Sequence, residues 1–197
     1  AALRSNSSTL ARCVAALWAT SQHEKERILE ELAKDAEVGA EAPSDKQLFA
    51  LTCLAAIGKE SPGEENGQII WNAALASLES ASEDVKGQGA LALGSVCSSR
   101  GGAAIPELLK MIGERTSLRY LLLMALREAI SASGEQVLRQ HITLIVPVVV
   151  NIAEKLGDDT GKSEKSGVGE ESIRAAVAEC LGLVTVSNPA ETMGVVE

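Results

Sequence analysis

Aromatic residues are almost absent from this 197-residue chain. There are four of them, namely Trp18, Phe49, Trp71 and Tyr120. A protein that stacks single-stranded nucleic acid needs neighbouring aromatic side chains, and these are too few and too scattered. Basic residues are also in deficit, because 18 lysines and arginines face 27 acidic residues and leave a net charge of −9. That charge repels a nucleic acid and attracts a basic or mixed protein surface.

Long hydrophobic runs are missing as well, although 46% of the residues are apolar. Without a run of 18 apolar residues, the sequence predicts a soluble chain with no membrane partner, long enough to bury a core. The first residues, AALRSNSSTLARC, lack the order of charged, apolar and small residues that marks a signal peptide. They also lack an initiator methionine, and the chain stops before a helix cap. We therefore expect an excised piece of a longer protein.

Cysteines are few, and successive cysteines lie at least 40 residues apart. They are Cys13, Cys53, Cys97 and Cys180. Each falls in an apolar helical pattern, which predicts buried free thiols and a reducing compartment, the cytoplasm or the nucleus. The two histidines, His23 and His141, have no cysteine at zinc-binding spacing, so the sequence predicts no metal site.

Helical periodicity is abundant, and alanine and leucine, which favour helices, dominate the composition. The clearest pattern comprises Leu118, Leu121, Leu122, Ala125, Leu126 and Ala129. These spacings define one face of a helix. Leu123, Met124 and Ile130 add a second apolar face, so this helix is expected to pack between others. The preceding segment, 103–114, has a single apolar stripe. A half-exposed helix followed by a nearly buried one is typical of stacked helical hairpins.

Residues 21–24, Ser-Gln-His-Glu, have the pattern of a capping box before the second helix. In such a box the Ser21 oxygen accepts the amide proton of Glu24, and the Glu24 carboxylate accepts that of Ser21. The pattern predicts a helix that starts within this segment.

Two further helices contain residues that disfavour a helix interior. The helix predicted over about 83–98 contains Gly87, Gly89 and Gly94, each costing roughly 1 kcal/mol relative to alanine. Its apolar face persists, so we expect the glycines to allow close approach of a neighbouring helix. The helix predicted over about 135–156 contains Pro147. Proline has no backbone N–H, so the hydrogen bond to the Thr143 carbonyl cannot form. This predicts a kink, or a helix that begins only near 142–146.

A short motif recurs along the predicted helices. It reads CVAAL at 13–17, CLAAI at 53–57, ALGSV at 92–96, ALREA at 125–129 and CLGLV at 180–184. The spacings are 40, 39, 33 and 55 residues, and the last becomes about 42 when a 13-residue insertion is removed. A period near 40 with two helices per unit is typical of HEAT or armadillo arrays, and the lack of a short third helix favours HEAT.

The predicted architecture is therefore an all-α superhelix of about five helical hairpins. The predicted repeats cover about 7–37, 44–80, 83–115, 117–156 and 170–197, the last of them truncated. Residues 157–169 are polar and rich in glycine, and they are predicted to form a flexible insertion loop. Cutting such an array exposes apolar end faces, so we also expect that the piece can associate with itself.

An enzymatic reading depends on the segment GDDTGKS at 157–163, which resembles a phosphate-binding loop. Three residues rather than four separate its glycines, two aspartates would face the phosphates, and a helix replaces the preceding strand. Calorimetry with nucleotides would test this reading. No opposed carboxylates or paired histidine point to catalysis, so the sequence predicts no catalytic residue and no cofactor.

Four segments resemble consecutive parts of a known family. They are LARCVAALWAT at 10–20, SASEDVKGQGALALGSV at 80–96, RYLLLMALREAISASG at 119–134 and VAECLGLVTVSNPAET at 177–192. They are similar, in order, to the C-terminal third of the CAND proteins, the cullin-associated, neddylation-dissociated HEAT-repeat proteins also called TIP120. The insertion at 157–169 is longer than in that pattern. Pro147 replaces a large apolar residue of the pattern.

The resemblance implies a non-enzymatic scaffold that binds the core of a cullin–RING ubiquitin ligase when the cullin carries no ubiquitin-like modifier. CAND proteins compete with substrate-receptor modules and promote their exchange. The alternative is another HEAT or armadillo adaptor, such as a transport receptor or a phosphatase scaffold. An armadillo cargo groove needs regularly spaced asparagine and tryptophan on the second helices, where this chain has only Trp71.

The second helix of each pair usually lines the concave side of such a superhelix. That rule makes five residues candidates for partner binding, namely Glu24, Arg27, Glu31, Lys110 and Glu114. The alternative for all five is an ordinary solvated helix face.

Overall fold

The computed structural model describes residues 2–21, 23–37, 44–60, 63–99, 104–158, 168–190 and 192. The regular structure of these residues is helical, which confirms the predicted all-α class. The helices are α1 (Ala2–Thr20), α2 (Lys25–Ala36), α3 (Ser44–Lys59), α4 (Glu64–Ser77), α5 (Glu83–Ser99), α6 (Ala104–Glu114), α7 (Arg119–Ala132), α8 (Glu135–Asp158) and α9 (Val168–Ser187). A 3-10 turn, Thr116–Leu118, precedes α7.

The first of two compact units comprises Ala1–Arg100. Helix α3 lies between α1 and α5 in one layer, and α2 and α4 form a second layer against it. The buried core is made mostly of aliphatic side chains, with two tryptophans. Its largest fully buried members are Leu29, Leu51, Leu54, Ile57, Ile70, Trp71, Leu78 and Leu93. Stacking therefore buries apolar faces that no single hairpin could cover.

The second unit comprises Gly101–Glu197 and has the same two-layer arrangement. Helices α7 and α9 pack side by side in one layer, while α6 packs on α7 and on α8, and α8 packs on α9. The predicted repeat 83–115 contributes α5 to the first unit and α6 to the second. The repeat boundaries and the insertion loop stay predictions, and residues 159–167 of that loop lie outside the described residues.

The recurring motif lies on α1, α3, α5, α7 and α9, which are the helices of one layer type in each unit. Its first and last positions are buried in four of these five helices. Helix α1 is the exception, since Cys13 is exposed and Leu17 is 70% exposed. The motif therefore marks equivalent helices correctly, whereas the burial of these two positions depends on how each helix is packed.

The predicted capping box does not form, because the groups it needs have other partners. The Ser21 amide donates to the Leu17 carbonyl at 3.0 Å and so closes α1. Glu24 is the N-cap residue of α2 without a side-chain capping bond, and its carboxylate accepts a bond from Arg27 at 2.9 Å. The Ser21 N–H, which the Glu24 carboxylate would have to bind in the box, is therefore used by the C-terminal turn of α1.

Close helix approach occurs at Gly89, as predicted, but not at Gly87. A methyl group on Gly89 would overlap the Ser77 hydroxyl of α4 and lie 3.1 Å from the Ala74 carbonyl oxygen. A methyl group on Gly87 would meet no atom within 4 Å. Gly94 is buried. A second close approach occurs at Gly58 of α3, where a methyl group would lie 3.2 Å from the Val96 amide nitrogen of α5.

Helix α8 begins at Glu135 and carries the exposed Pro147 inside it, so the predicted later start is wrong. By length and composition alone, Glu135–Leu156 is apolar enough to cross a membrane, with a mean hydropathy of 1.3. A core helix of a globular protein has the same properties. The apolar stripe of α8 is buried, and α8 packs against α6 and α9. We therefore interpret α8 as a helix of the packed layers with one buried side, since a third of this span is buried.

Candidate interaction surfaces

The predicted contact residues of the first unit lie together on α2. Glu24, Arg27 and Glu31 are three and four residues apart, so they share one side of the helix, and all three are exposed. Arg27 Nη2 donates to Glu24 Oε2 at 2.9 Å, with side chains that are 65% and 56% exposed. A pair this open to water contributes at most about 1 kcal/mol. A partner can therefore replace this ion pair at little cost.

Carboxylates outnumber cations on this part of the first unit. Glu30 is exposed on the same side of α2 as Arg27, and it was missing from the sequence-based candidates although it shares their polar face. The adjacent helix α4 begins with Glu64 and Glu65, both exposed. These two also stabilise the start of α4 through the helix dipole. We call Glu24, Arg27, Glu30 and Glu31 the α2 surface.

The other two predicted contact residues lie on α6 in the second unit. Lys110 and Glu114 are one helical turn apart and exposed, and Lys110 Nζ is 4.0 Å from Glu114 Oε1. That distance is too long for a hydrogen bond, so the pair holds neither side chain in place. Three of the five candidates thus belong to the first unit and two to the second, and a contact role for each stays a prediction.

A groove of about 660 Å³ crosses α1, α3 and α5 in the first unit. Its lining includes Asp45 and Asp84, the amide of Gln88, and the hydroxyl of Thr52, which donates to the Leu48 carbonyl at 2.6 Å. Among the described lining residues there is no histidine or cysteine. The Thr52 hydroxyl is engaged with its own helix, so the groove offers a polar surface.

The two histidines and the segment 157–163, which the sequence analysis considered for chemistry, are not placed together in a site by the described residues. His23 is exposed, and His141 is half-buried on α8. The segment 157–163 lies outside the described residues except where α8 extends to Asp158. Within the described ranges, no group of three or more histidine, cysteine or acidic side chains is placed to hold a metal ion.

Three of the four thiols are buried, as predicted. The prediction is wrong for Cys13, which is exposed. Burial raises the pKa of the Cys53 thiol from its ordinary value of 9.0 to about 11. Burial likewise raises the pKa of Cys180 to about 12, against a smaller opposing effect of the nearby Arg127 guanidinium. The Cys180 thiol donates to the Leu123 carbonyl oxygen at 3.6 Å. These thiols are packing groups rather than nucleophiles.

We expect one thiol per native chain to react rapidly with Ellman's reagent at pH 8, and three more to react only after unfolding. The reactive thiol should be Cys13, and a Cys13→Ser variant should show no fast phase. A fast phase from two or more thiols would contradict the burial of this layer.

Burial of Cys53 and Cys180 also makes the free energy of unfolding depend on pH. Their contribution is fully present below about pH 9, where both thiols are protonated in the folded and unfolded chain, and it is lost as the pH rises through about 11 to 12.

Tryptophan placement bears on the armadillo alternative. Trp71, on a second-layer helix, is only 2% exposed, and so is Trp18, whose indole Nε1–H donates to the Lys25 carbonyl at 3.0 Å. An armadillo cargo groove presents its tryptophans to a bound peptide. Neither tryptophan can line such a groove here.

Comparison with known proteins supplies the family of relatives. No protein-family model matches the chain. Cullin-associated NEDD8-dissociated protein 2 of Mus musculus is 31% identical over 182 residues, which cover 92% of this chain and 13% of that protein. Cullin-associated NEDD8-dissociated protein 1 is 30% identical over 73% of this chain in Dictyostelium discoideum and 27% identical over 92% in Arabidopsis thaliana. The chain spans 11% to 14% of the length of these relatives.

Proposed function

Because this chain belongs to the family of cullin-associated NEDD8-dissociated proteins, we propose that it is a non-enzymatic scaffold segment that binds an unmodified cullin–RING ligase core. The observation that carries the proposal is the 31% identity to the mouse relative across 92% of this chain. That relative is named for association with cullins and for dissociation involving NEDD8. The stacked helices support the proposal because, among the described residues, they expose polar helix faces that a protein partner can contact.

The proposed consequence of binding is exchange of the substrate-receptor modules of the ligase, in the cytoplasm or the nucleus. A scaffold that occupies the ligase core competes with a receptor module for the same complex. The net charge of −9 favours association with a basic or mixed protein surface. Buried thiols fit a reducing compartment.

Biolayer interferometry with the immobilised chain tests this function. We expect binding to an unmodified cullin–RING core and loss of binding when the same cullin is conjugated to NEDD8. Equal binding to both forms would contradict the proposed selectivity. The absence of binding to every cullin of the source organism would reject the partner.

Charge reversal on α2 tests the predicted contact surface. We expect Glu30→Lys combined with Glu31→Lys to weaken cullin binding about tenfold, because two carboxylates that face a basic partner become repulsive. Glu60→Lys, an exposed change after the end of α3, serves as the control and should leave affinity nearly unchanged. Equal affinity of the α2 variant and the control would exclude this surface as the contact.

A further inference from the structure

The groove of the first unit lies on the outer side of α3, away from the second layer. Its α3 lining follows helical spacing and comprises Asp45, Leu48, Phe49 and Thr52. The buried Gln47 and Leu51 lie on the other side of the helix, and Gln47 Nε2 donates to the Glu37 carbonyl at the end of α2 at 2.6 Å. Helices added to a stacked array join its layers at their ends, so the outer side of α3 stays open whichever helices precede or follow.

Helices α3 and α5 present matching positions to this groove. Gly58 of α3 approaches Val96 of α5, which is 38 positions later, and a methyl group on Gly58 would lie 3.2 Å from the Val96 nitrogen. Asp45 and Asp84, which are 39 positions apart, line the same groove. The two helices therefore run parallel in one register. Since neighbouring helix axes lie about 8–10 Å apart, the two aspartates stand about that far from each other.

The groove combines negative charge with apolar surface. Asp45 and Asp84 are exposed, and the apolar lining consists of the half-buried Leu48, Phe49 and Leu91. Its described lining residues include no lysine, arginine or histidine. An aspartate in the first turn stabilises a helix, which accounts for the acidic residues. That effect does not account for the chain's single phenylalanine being left partly open to water beside them.

The geometry argues against a metal ion as the occupant. The oxygen ligands of Ca²⁺ or Mg²⁺ lie about 2.0–2.6 Å from the ion, so two carboxylates on separate helices about 8–10 Å apart cannot share one. The groove volume of about 660 Å³ accommodates several side chains. The charge and the apolar lining together require an occupant with two separated positive charges and an apolar group between them.

We propose that this groove binds a short extended segment of a partner protein that carries two basic residues three positions apart and an apolar residue between them. An extended polyproline-type segment has three residues per turn and rises about 3.1 Å per residue, so such basic residues lie on one side, about 9 Å apart. This spacing matches Asp45 and Asp84. The apolar residue then contacts Leu48, Phe49 and Leu91.

This site is separate from the proposed cullin contact. The α2 surface belongs to the second layer of the unit, whereas the groove lies on the outer side of the first layer. A segment in the groove leaves the α2 surface accessible. A chain that binds no cullin can still bind the segment, so the two proposals fail separately.

Fluorescence polarisation with labelled synthetic peptides and the whole chain tests the recognition. We expect the sequence Arg-Leu-Pro-Arg to bind at least about tenfold more tightly than Glu-Leu-Pro-Glu. It should also bind about threefold more tightly than Arg-Arg-Leu-Pro, which has the same composition and charge, and than Arg-Ser-Pro-Arg, which lacks the apolar residue. Equal binding of the three arginine peptides would overturn the proposal, because charge alone would then explain the affinity.

Neutralising the two aspartates tests the location. We expect Asp45→Asn combined with Asp84→Asn to weaken binding of Arg-Leu-Pro-Arg about tenfold, because both charge-assisted contacts are lost. Glu30→Gln combined with Glu31→Gln is the matched control, since it removes the same charge from the α2 surface, and it should change the affinity by less than about twofold. Equal losses in the two variants would reject the groove as the site. Unchanged thermal melts check that both variants fold, as expected for exposed positions.

A pair of substitutions at Gln88 tests the groove a second time. Gln88 is half-buried in the lining, one turn after Asp84. We expect Gln88→Glu to tighten binding of Arg-Leu-Pro-Arg about threefold and Gln88→Lys to weaken it by a similar factor. The same two changes at the exposed Gln68 of α4 should have much smaller effects, because distant charges are screened by salt. Effects of equal size at positions 68 and 88 would contradict the proposal.

Discussion

Replacing Leu54 with alanine is expected to lower the free energy of unfolding of the first unit by about 2–5 kcal/mol. Leu54 is fully buried on α3, which packs between α1 and α5 and against α2. Alanine would leave a cavity in the helix with neighbours on the most sides. Urea denaturation followed by tryptophan fluorescence measures the loss, because Trp18 and Trp71 are both buried in this unit.

The matched control is Leu10→Ala, the same change at a side chain that is 57% exposed on α1. Its effect should stay within about 0.5 kcal/mol at protein concentrations that keep the chain monomeric. Comparable losses for the two variants would mean that α3 is not the centre of the unit.

Alanine substitutions at two glycines of α5 should change stability in opposite directions. Gly89→Ala is expected to destabilise by about 1–3 kcal/mol, because its methyl group would overlap the Ser77 hydroxyl and crowd the Ala74 carbonyl. Gly87→Ala is expected to stabilise by up to about 1 kcal/mol, because it gains helix propensity and meets no atom within 4 Å. Chemical denaturation of both variants measures the difference.

The two substitutions control for each other, since they lie two residues apart in one helix and have the same intrinsic propensity change. Stabilisation by both would show that α4 and α5 separate easily at Ser77. Destabilisation by both would show that Gly87 has a neighbour that the structure does not place there.

The layer of motif-bearing helices was predictable from the sequence, because its signal is a repeat of buried positions. The apolar pattern around Leu122 and Leu126 predicted a helix with neighbours on two sides, and α7 packs against α6 and α9. Periodicity reports how many faces of a helix are apolar, and this number follows from stacking.

Local detail was less predictable where two groups compete for one partner. The capping pattern at 21–24 fits the sequence rule, yet the Ser21 amide is taken by the end of α1. The motif likewise predicts burial of Cys13, which would require a neighbour before α1. A rule that uses only a few neighbouring residues does not include the other groups that compete for the same partner.

The contact residues were the least predictable part of the chain. Glu24 and Arg27 pair with each other at 2.9 Å in an exposed position, and such pairs occur on ordinary helix surfaces. What distinguishes a contact from a solvated face is the shape and charge of the partner. The chain alone does not encode that information, which is why binding assays carry the test.

The junction between α4 and α5 also limits how this chain can change over evolutionary time. The buried Ser77 hydroxyl donates to the Ala74 carbonyl at 2.6 Å and fills the space that a side chain at position 89 would need. Mutations at 77 and 89 are therefore not independent. Loss of the Ser77 hydroxyl removes the worst overlap with a methyl group at 89 but leaves the Ala74 carbonyl oxygen 3.1 Å from it. The order of the two mutations therefore changes which sequences can be reached.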